Sequence, residues 1–250
     1  MRKKIVAGNW KMNLTFDEAR QLYHALNKLV YDTKVVDLLI APPAIYISQF
    51  AFANTGEIII AAQNCHQEEN GAFTGEWSAR MLATVRVDHC IIGHSERRAM
   101  FGDTNEIVAS KAVSCFANDV IPIVCCGETL EERESGSHFD VITAQIDSVL
   151  KQVDEKDSEK LIIAYEPVWA IGTGKTASTA QAQEMHEFIR KLLRLHYSEE
   201  VGASIRILYG GSVKPDNASE LFSCPDVDGG LVGGASLKYE SFKSILEAAF

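Results

Sequence analysis

Eight short apolar runs recur along the chain, with polar or amphipathic stretches between them. They are Lys4–Ala7, Val36–Ala41, Glu57–Ala62, His89–Gly93, Val120–Cys126, Leu161–Tyr165, Ile205–Tyr209 and Gly230–Val232. Most are continuously apolar and do not alternate, which predicts parallel strands covered on both faces. The stretches between them carry helix signals. Thr15-Phe16-Asp17-Glu18 reads as a capping box before Leu22, Leu26 and Leu29, which share one face. Ser178 and Gln181 form another before Met185, Phe188, Ile189, Leu192 and Leu193. Asp103-Thr104 and Pro215-Asp216 predict two more helix starts. Eight strand–helix units without a linker predict a single-domain α/β fold over residues 1–250, a closed (β/α)8 barrel. An open doubly wound sheet shares the pattern, but eight units over this length favour closure.

Closure changes how the polar punctuation reads. Asn9-Trp10-Lys11, Asn64-Cys65, His94-Ser95-Glu96, Gly127-Glu128, Glu166-Pro167, Gly210-Gly211-Ser212 and Gly233-Gly234 all follow strands. In a barrel such loops share the C-terminal face, where barrel active sites lie. Residues distant in sequence should therefore converge there.

Three groups on that face can do chemistry. Glu166 ends an apolar strand and precedes Pro167, a setting suited to a carboxylate base, although a lone Glu is more often a solvated loop residue. His94 stands before Ser95-Glu96-Arg97-Arg98. A helical turn starting there would disfavour imidazolium and leave a neutral ring able to donate to a carbonyl oxygen. The bland alternative is a structural histidine. Lys11 could neutralise a phosphate or an oxyanion, or simply be solvated. The glycine pairs after the seventh and eighth strands suit phosphate binding by backbone N–H groups, and equally suit plain tight turns.

Other chemistries find less support. Thr173-Gly174-Lys175-Thr176 suggests a nucleotide loop, but Trp169 stands where a Walker A glycine is needed. Gly172-Thr173-Gly174-Lys175-Thr176-Ala177 fits a loose dinucleotide fingerprint, yet Pro167-Val168-Trp169-Ala170-Ile171 separates it from its strand. No HExxH occurs and Cys65-His66 lacks spaced companions, so no metal and no cofactor are expected. A Cys–His hydrolase has no supporting constellation.

Composition adds constraints. The chain has 250 residues, 46% hydrophobic and 23% charged, as in ordinary globular proteins. A net charge of −10 argues against nucleic acid or an anionic membrane as partner, so an anionic substrate would need a local positive field. The six cysteines include no CxxC pair, which predicts reduced thiols and a cytoplasmic protein. The first residues do not read as a signal peptide, and no apolar run approaches the ~20 residues that span a bilayer.

Several runs together resemble the triosephosphate isomerase family from end to end. They are AGNWKMN (Ala7–Asn13), QNC (Gln63–Cys65), GAFTGE (Gly71–Glu76), IIGHSERR (Ile91–Arg98), CGETLEER (Cys126–Arg133), AYEPVWAIGTGKTAS (Ala164–Ser178), YGGSVKP (Tyr209–Pro215) and LVGGASL (Leu231–Leu237). The resemblance implies a TIM barrel that interconverts dihydroxyacetone phosphate and glyceraldehyde 3-phosphate in glycolysis and gluconeogenesis, without a cofactor. It implies Glu166 as base, His94 as neutral electrophile, Lys11 as positive charge, and Asn9, Ser95 and Glu96 as orienting or supporting groups. It implies phosphate binding at Gly172, Ser212, Gly233 and Gly234. The lid would run through Pro167, Val168, Trp169, Ala170, Ile171, Gly172, Thr173, Gly174, Lys175 and Thr176, held shut by Tyr209 and Ser212. It further implies a homodimer, in which the long loop Asn64–Trp77 brings Thr74 to the partner's site. Cys126 and Gly230 depart from the family's usual residues, at positions away from this chemistry. A different barrel enzyme on a small phosphorylated sugar, such as an epimerase or an aldolase, is the runner-up. An aldolase would need a Schiff-base lysine at the site, whereas Lys4 and Lys160 lie at the starting ends of strands. A non-catalytic phosphate-binding barrel is the third reading.

Overall fold

The computed structural model describes residues 2–171 and 176–250. Eight parallel strands close into a barrel in sequence order: β1 (Lys4–Asn9), β2 (Val36–Ala41), β3 (Ile59–Ala62), β4 (His89–Ile92), β5 (Ile121–Cys126), β6 (Ile162–Tyr165), β7 (Arg206–Tyr209) and β8 (Gly229–Val232). β1 closes the ring by pairing with both β2 and β8. Helices follow the strands and surround the barrel. No helix among the described residues is long and apolar enough to cross a membrane.

The strands are apolar throughout because they feed two cores. Ile5, Ala7, Leu39, Ala41, Ile91, Ile123, Cys125, Ile162, Ala164, Leu208 and Leu231 fill the barrel interior. Val6, Leu38, Ile40, Val124, Cys126, Ile163 and Tyr165 pack outward under the helices. Strand parity therefore fixes where each strand-end residue points.

Two of the expected capping boxes form. The Glu18 carboxylate accepts the Thr15 N–H at 2.7 Å, opening helix Phe16–Leu26. Ser178 and Gln181 bond reciprocally at 2.9 and 3.2 Å, opening helix Thr179–His196. Thr104 caps helix Asn105–Ala117 through the Ile107 N–H. Pro215-Asp216 starts no helix. Asn217 is the cap of helix Ala218–Phe222, and its side chain joins the Ser212 carbonyl and the Lys214 N–H across the turn.

Both departures from the family pattern pack without loss. Cys126 is buried in the outer layer. At Gly230 the Phe222 ring takes the room a side chain would use, within 3.3 Å of where a Cβ would stand.

Candidate active site

Parity carries the first half of the site. Glu166 continues the inward series of Ile162 and Ala164, just as Asn9 continues Ile5 and Ala7. The Glu166 backbone is tied by its N–H to the Cys126 carbonyl at 2.7 Å. Its side chain is buried, the residue being 1% exposed. A Cβ at Gly210 would come within 2.8 Å of Glu166 Cγ, so glycine is what leaves the carboxylate room.

His94 arrives differently. Gly93 takes a left-handed φ of +66°, which ends β4 and turns the chain into helix Ser95–Phe101 with His94 as its cap. His94 Nδ1 accepts the Glu96 N–H at 3.2 Å, and Nε2 lies 2.9 Å from Glu166 Oε1. The Ser95 N–H donates to Glu166 Oε2 at 2.9 Å. Burial lowers the pKa of the ring, but the neighbouring Glu166 charge and hydrogen bond outweigh it and leave the pKa raised. The helix turn, which is all that the sequence reveals here, pushes the other way. An accepting Nδ1 carries no proton, so the proton sits on Nε2, and the singly protonated ring is the form that fits both bonds.

Lys11 has φ +51°, an uncommon conformation for a residue with a side chain. Two neighbours hold it there: Asn9 Oδ1 accepts its N–H at 3.0 Å, and Gln63 Nε2 donates to its carbonyl at 2.9 Å. Its ammonium pairs with Glu96 at 2.7 Å. Sequence reasoning gives Gln63 no role. Its place just after β3 is the signal that could have found it.

A cavity of about 880 Å³ opens over these groups. Its wall includes Asn9, Lys11, His94, Glu96, Glu166, Ile171, Ser212, Gly233 and Gly234, together with Lys214 and Lys238. These lysines supply local positive charge on a chain that is acidic overall. Lys4, by contrast, donates to the Phe222 carbonyl at the opposite end of the barrel, which removes it as a Schiff-base candidate.

Past Glu166 the chain meets the outer side of the barrel wall. Val168–Ala170 form a short 3-10 turn after Pro167. Glu128 has outward parity and is fully buried; it accepts the Trp169 indole N–H at 2.8 Å and the Tyr165 hydroxyl at 3.0 Å. Burial raises the Glu128 pKa, against these donors. Sequence reasoning missed this anchor. Ser212 Oγ donates to the Ala170 carbonyl at 3.0 Å. Burial pushes the Tyr209 hydroxyl up to about 12, against the opposing effect of the Ala177 backbone, so it stays protonated. Gly172, Thr173, Gly174 and Lys175 lie outside the described residues, and Thr176 is exposed.

Thr74 is not part of this cavity. It lies on a protruding loop whose root is held by Trp77 Nε1 on the Asn64 carbonyl at 2.6 Å. Phe73, on the same loop, packs its ring at a tilt against His66 and is 43% exposed.

Comparison with known proteins gives the family. The family model described as triosephosphate isomerase matches residues 4–249. The chain is 50% identical over 250 residues to a triosephosphate isomerase of Porphyromonas gingivalis, covering 99% of this chain and all of that one. It is 49% identical to one from Bacteroides fragilis, covering 99% of each. It is 52% identical over 252 residues to one from Prosthecochloris aestuarii, covering 100% of this chain and 99% of the relative. The chain belongs to the triosephosphate isomerase family.

Proposed function

We propose that residues 1–250 form one catalytic domain that interconverts dihydroxyacetone phosphate and glyceraldehyde 3-phosphate at this cavity, with Glu166 and His94 as the proton-moving pair. The observation that carries the reading is the 2.9 Å contact between Glu166 Oε1 and His94 Nε2 at the cavity floor. Substrate entering between them meets a base on one side and an N–H donor on the other. Glu166 takes a proton from the carbon beside the carbonyl, and His94 Nε2–H donates to the carbonyl oxygen as negative charge develops there. Lys11 offsets the charge of the enediolate. Glu166 then returns the proton to the neighbouring carbon, while His94 relays the proton between the oxygens. Backbone N–H groups of Gly172, Ser212, Gly233 and Gly234 grip the phosphate. Binding at that remote handle helps close the lid and exclude water. The chemistry uses no cofactor.

The test is a coupled isomerase assay on the purified protein and on Glu166→Asp. Shortening the side chain by one methylene misplaces the carboxylate by about 1 Å, which costs roughly 10²-fold in rate. An unchanged kcat in the Asp variant would remove Glu166 from its role.

The same reading includes a homodimer in the cytoplasm. A second cavity of about 210 Å³ touches Asn9, Lys11 and His94 and is bordered by Met12, Trp77 and Phe101. Met12 is 95% and Phe101 66% exposed, an apolar patch that a protruding Phe73–Thr74 loop from a second copy would cover. Thr74→Arg is expected to yield monomers with impaired turnover, and sedimentation of a fully active wild-type monomer would refute the dimer. All six cysteines are free, which favours a reducing compartment.

A further inference from the structure

Sequence spacing gave Cys65 no companions, but the fold supplies two. Cys65 sits at the root of the loop after β3, Cys90 lies on β4, and Cys115 on helix Asn105–Ala117. Their three Sγ atoms lie within 4.8 Å of one another, and those of Cys65 and Cys115 are 3.6 Å apart. All three residues are 0% exposed. The proposed chemistry of the barrel mouth uses none of them.

We propose that Cys65, Cys90 and Cys115 form a three-sulfur site for a trivalent thiophilic centre, specifically arsenic(III). The argument is one of shape and charge. Soft thiolate ligands select soft centres, and three sulfurs at these separations can close around one small atom. Burial then decides among such centres. A complex of three thiolates with a divalent or monovalent metal keeps net negative charge in a dry site, which is costly without a partner. The buried cation whose charge reaches Cys65 and Cys115, Lys111, already pairs with Asp103 at 2.8 Å and donates to Asn64 Oδ1 at 2.9 Å. Arsenic(III) bound by three thiolates is neutral. Arsenous acid and three thiols exchange to three As–S bonds and three waters. Each S–H proton leaves with a hydroxide, arsenic stays trivalent, and no oxidant is needed. Access requires local opening at the loop root, where the Trp77 bond to the Asn64 carbonyl is the latch.

The experiment uses the reduced full-length protein, incubated in separate arms with arsenous acid, zinc and copper(I), then desalted. Arsenic is expected to remain at one atom per chain, with three sulfur neighbours by arsenic-edge X-ray absorption. Zinc and copper(I) are expected to wash out. Cys65→Ala, Cys90→Ala and Cys115→Ala should each lose the bound arsenic. Because a core variant can fail to fold, the triple variant Cys125→Ala/Cys126→Ala/Cys224→Ala, with only the three proposed ligands left, must still retain it. Loss of arsenic from that triple variant, a two-sulfur environment, or retention of zinc but not arsenic would each overturn the proposal.

Discussion

The two ends of the barrel are both rich in buried charge, and they use it in opposite ways. At the starting end, Asp228 accepts Arg2 Nε at 2.6 Å, Arg190 at 2.7 Å and the Ile207 N–H at 2.9 Å. Asp37 there takes Lys3 at 2.5 Å and Arg206 at 3.2 Å. Every one of these charges is answered by protein. At the finishing end, Glu166, His94 and Lys11 also touch protein partners, yet each faces a cavity large enough for a small ligand. Polar groups that pair only with one another hold the barrel's shape. Polar groups that pair across an opening remain available to a substrate.

The contrast is sharpest if each end is damaged separately. Glu166→Gln keeps the shape of the side chain and removes the proposed base. General-base contributions run to roughly 10²–10⁴-fold, so kcat should fall on that scale with the melting temperature nearly unchanged. Asp228→Ala should do the reverse. It leaves Arg190, 1% exposed, without its main counter-charge. Breaking such a buried pair costs about 3–5 kcal/mol, or roughly 6–20 °C in melting temperature for a chain of this size. The kcat of the folded fraction should match the wild type. A large loss of kcat in Asp228→Ala at low temperature would show that the two ends are coupled.

A third site tests the barrel wall between the ends. His186 lies on helix Thr179–His196 between the rings of Tyr165 and Tyr209, with Nδ1 against the Asp226 carbonyl at 3.2 Å. Burial lowers its pKa from 6.5 to about 4. Between those pH values the unfolded chain binds a proton at this position that the folded chain does not. Its contribution to stability is therefore complete above pH 6.5 and is lost as pH falls toward 4, by an amount on the order of 3 kcal/mol. Urea midpoints across this range should fall toward acid, and His186→Leu should flatten that slope. An unchanged slope would place the titration elsewhere.

Much of this was legible in the chain, for a physical reason. Strands buried on both faces are uniformly apolar, so all eight stand out in the sequence within a residue or two. The misses were local geometry. β3 begins at Ile59 and not at Glu57, and β4 stops at Ile92 because Gly93 turns left-handed. Glu166, His94 and Lys11 could be named because strand ends converge by topology, whereas Asn9 took its role from the family resemblance alone. Glu128 could not, because its value depends on outward parity and on an indole arriving from a later turn. Arg190 with Asp228, and Cys65 with Cys90 and Cys115, are contacts between elements far apart in sequence, which no spacing rule reveals.

The smallest effect belongs to the helix surface, where neither end is involved. Ser178 caps the 18-residue helix Thr179–His196, its Oγ accepting the Gln181 N–H at 3.2 Å while Gln181 Oε1 accepts the Ser178 N–H at 2.9 Å. Both bonds lie in exposed surroundings, so water replaces most of what is lost. Ser178→Ala should cost about 1 kcal/mol, the usual cap penalty, and lower the melting temperature by about 2–4 °C. Ser178→Asp keeps an acceptor at the cap and places negative charge at the helix start, so it should recover the loss. Neither variant changes a group on the cavity wall, so kcat should hold in both. The pair is informative because the helix begins just after the segment proposed as the lid. If Ser178→Ala lowers kcat while Ser178→Asp restores it, then the cap also sets the lid's far root, and the division between shape-holding and reacting groups does not extend to the barrel's outer layer.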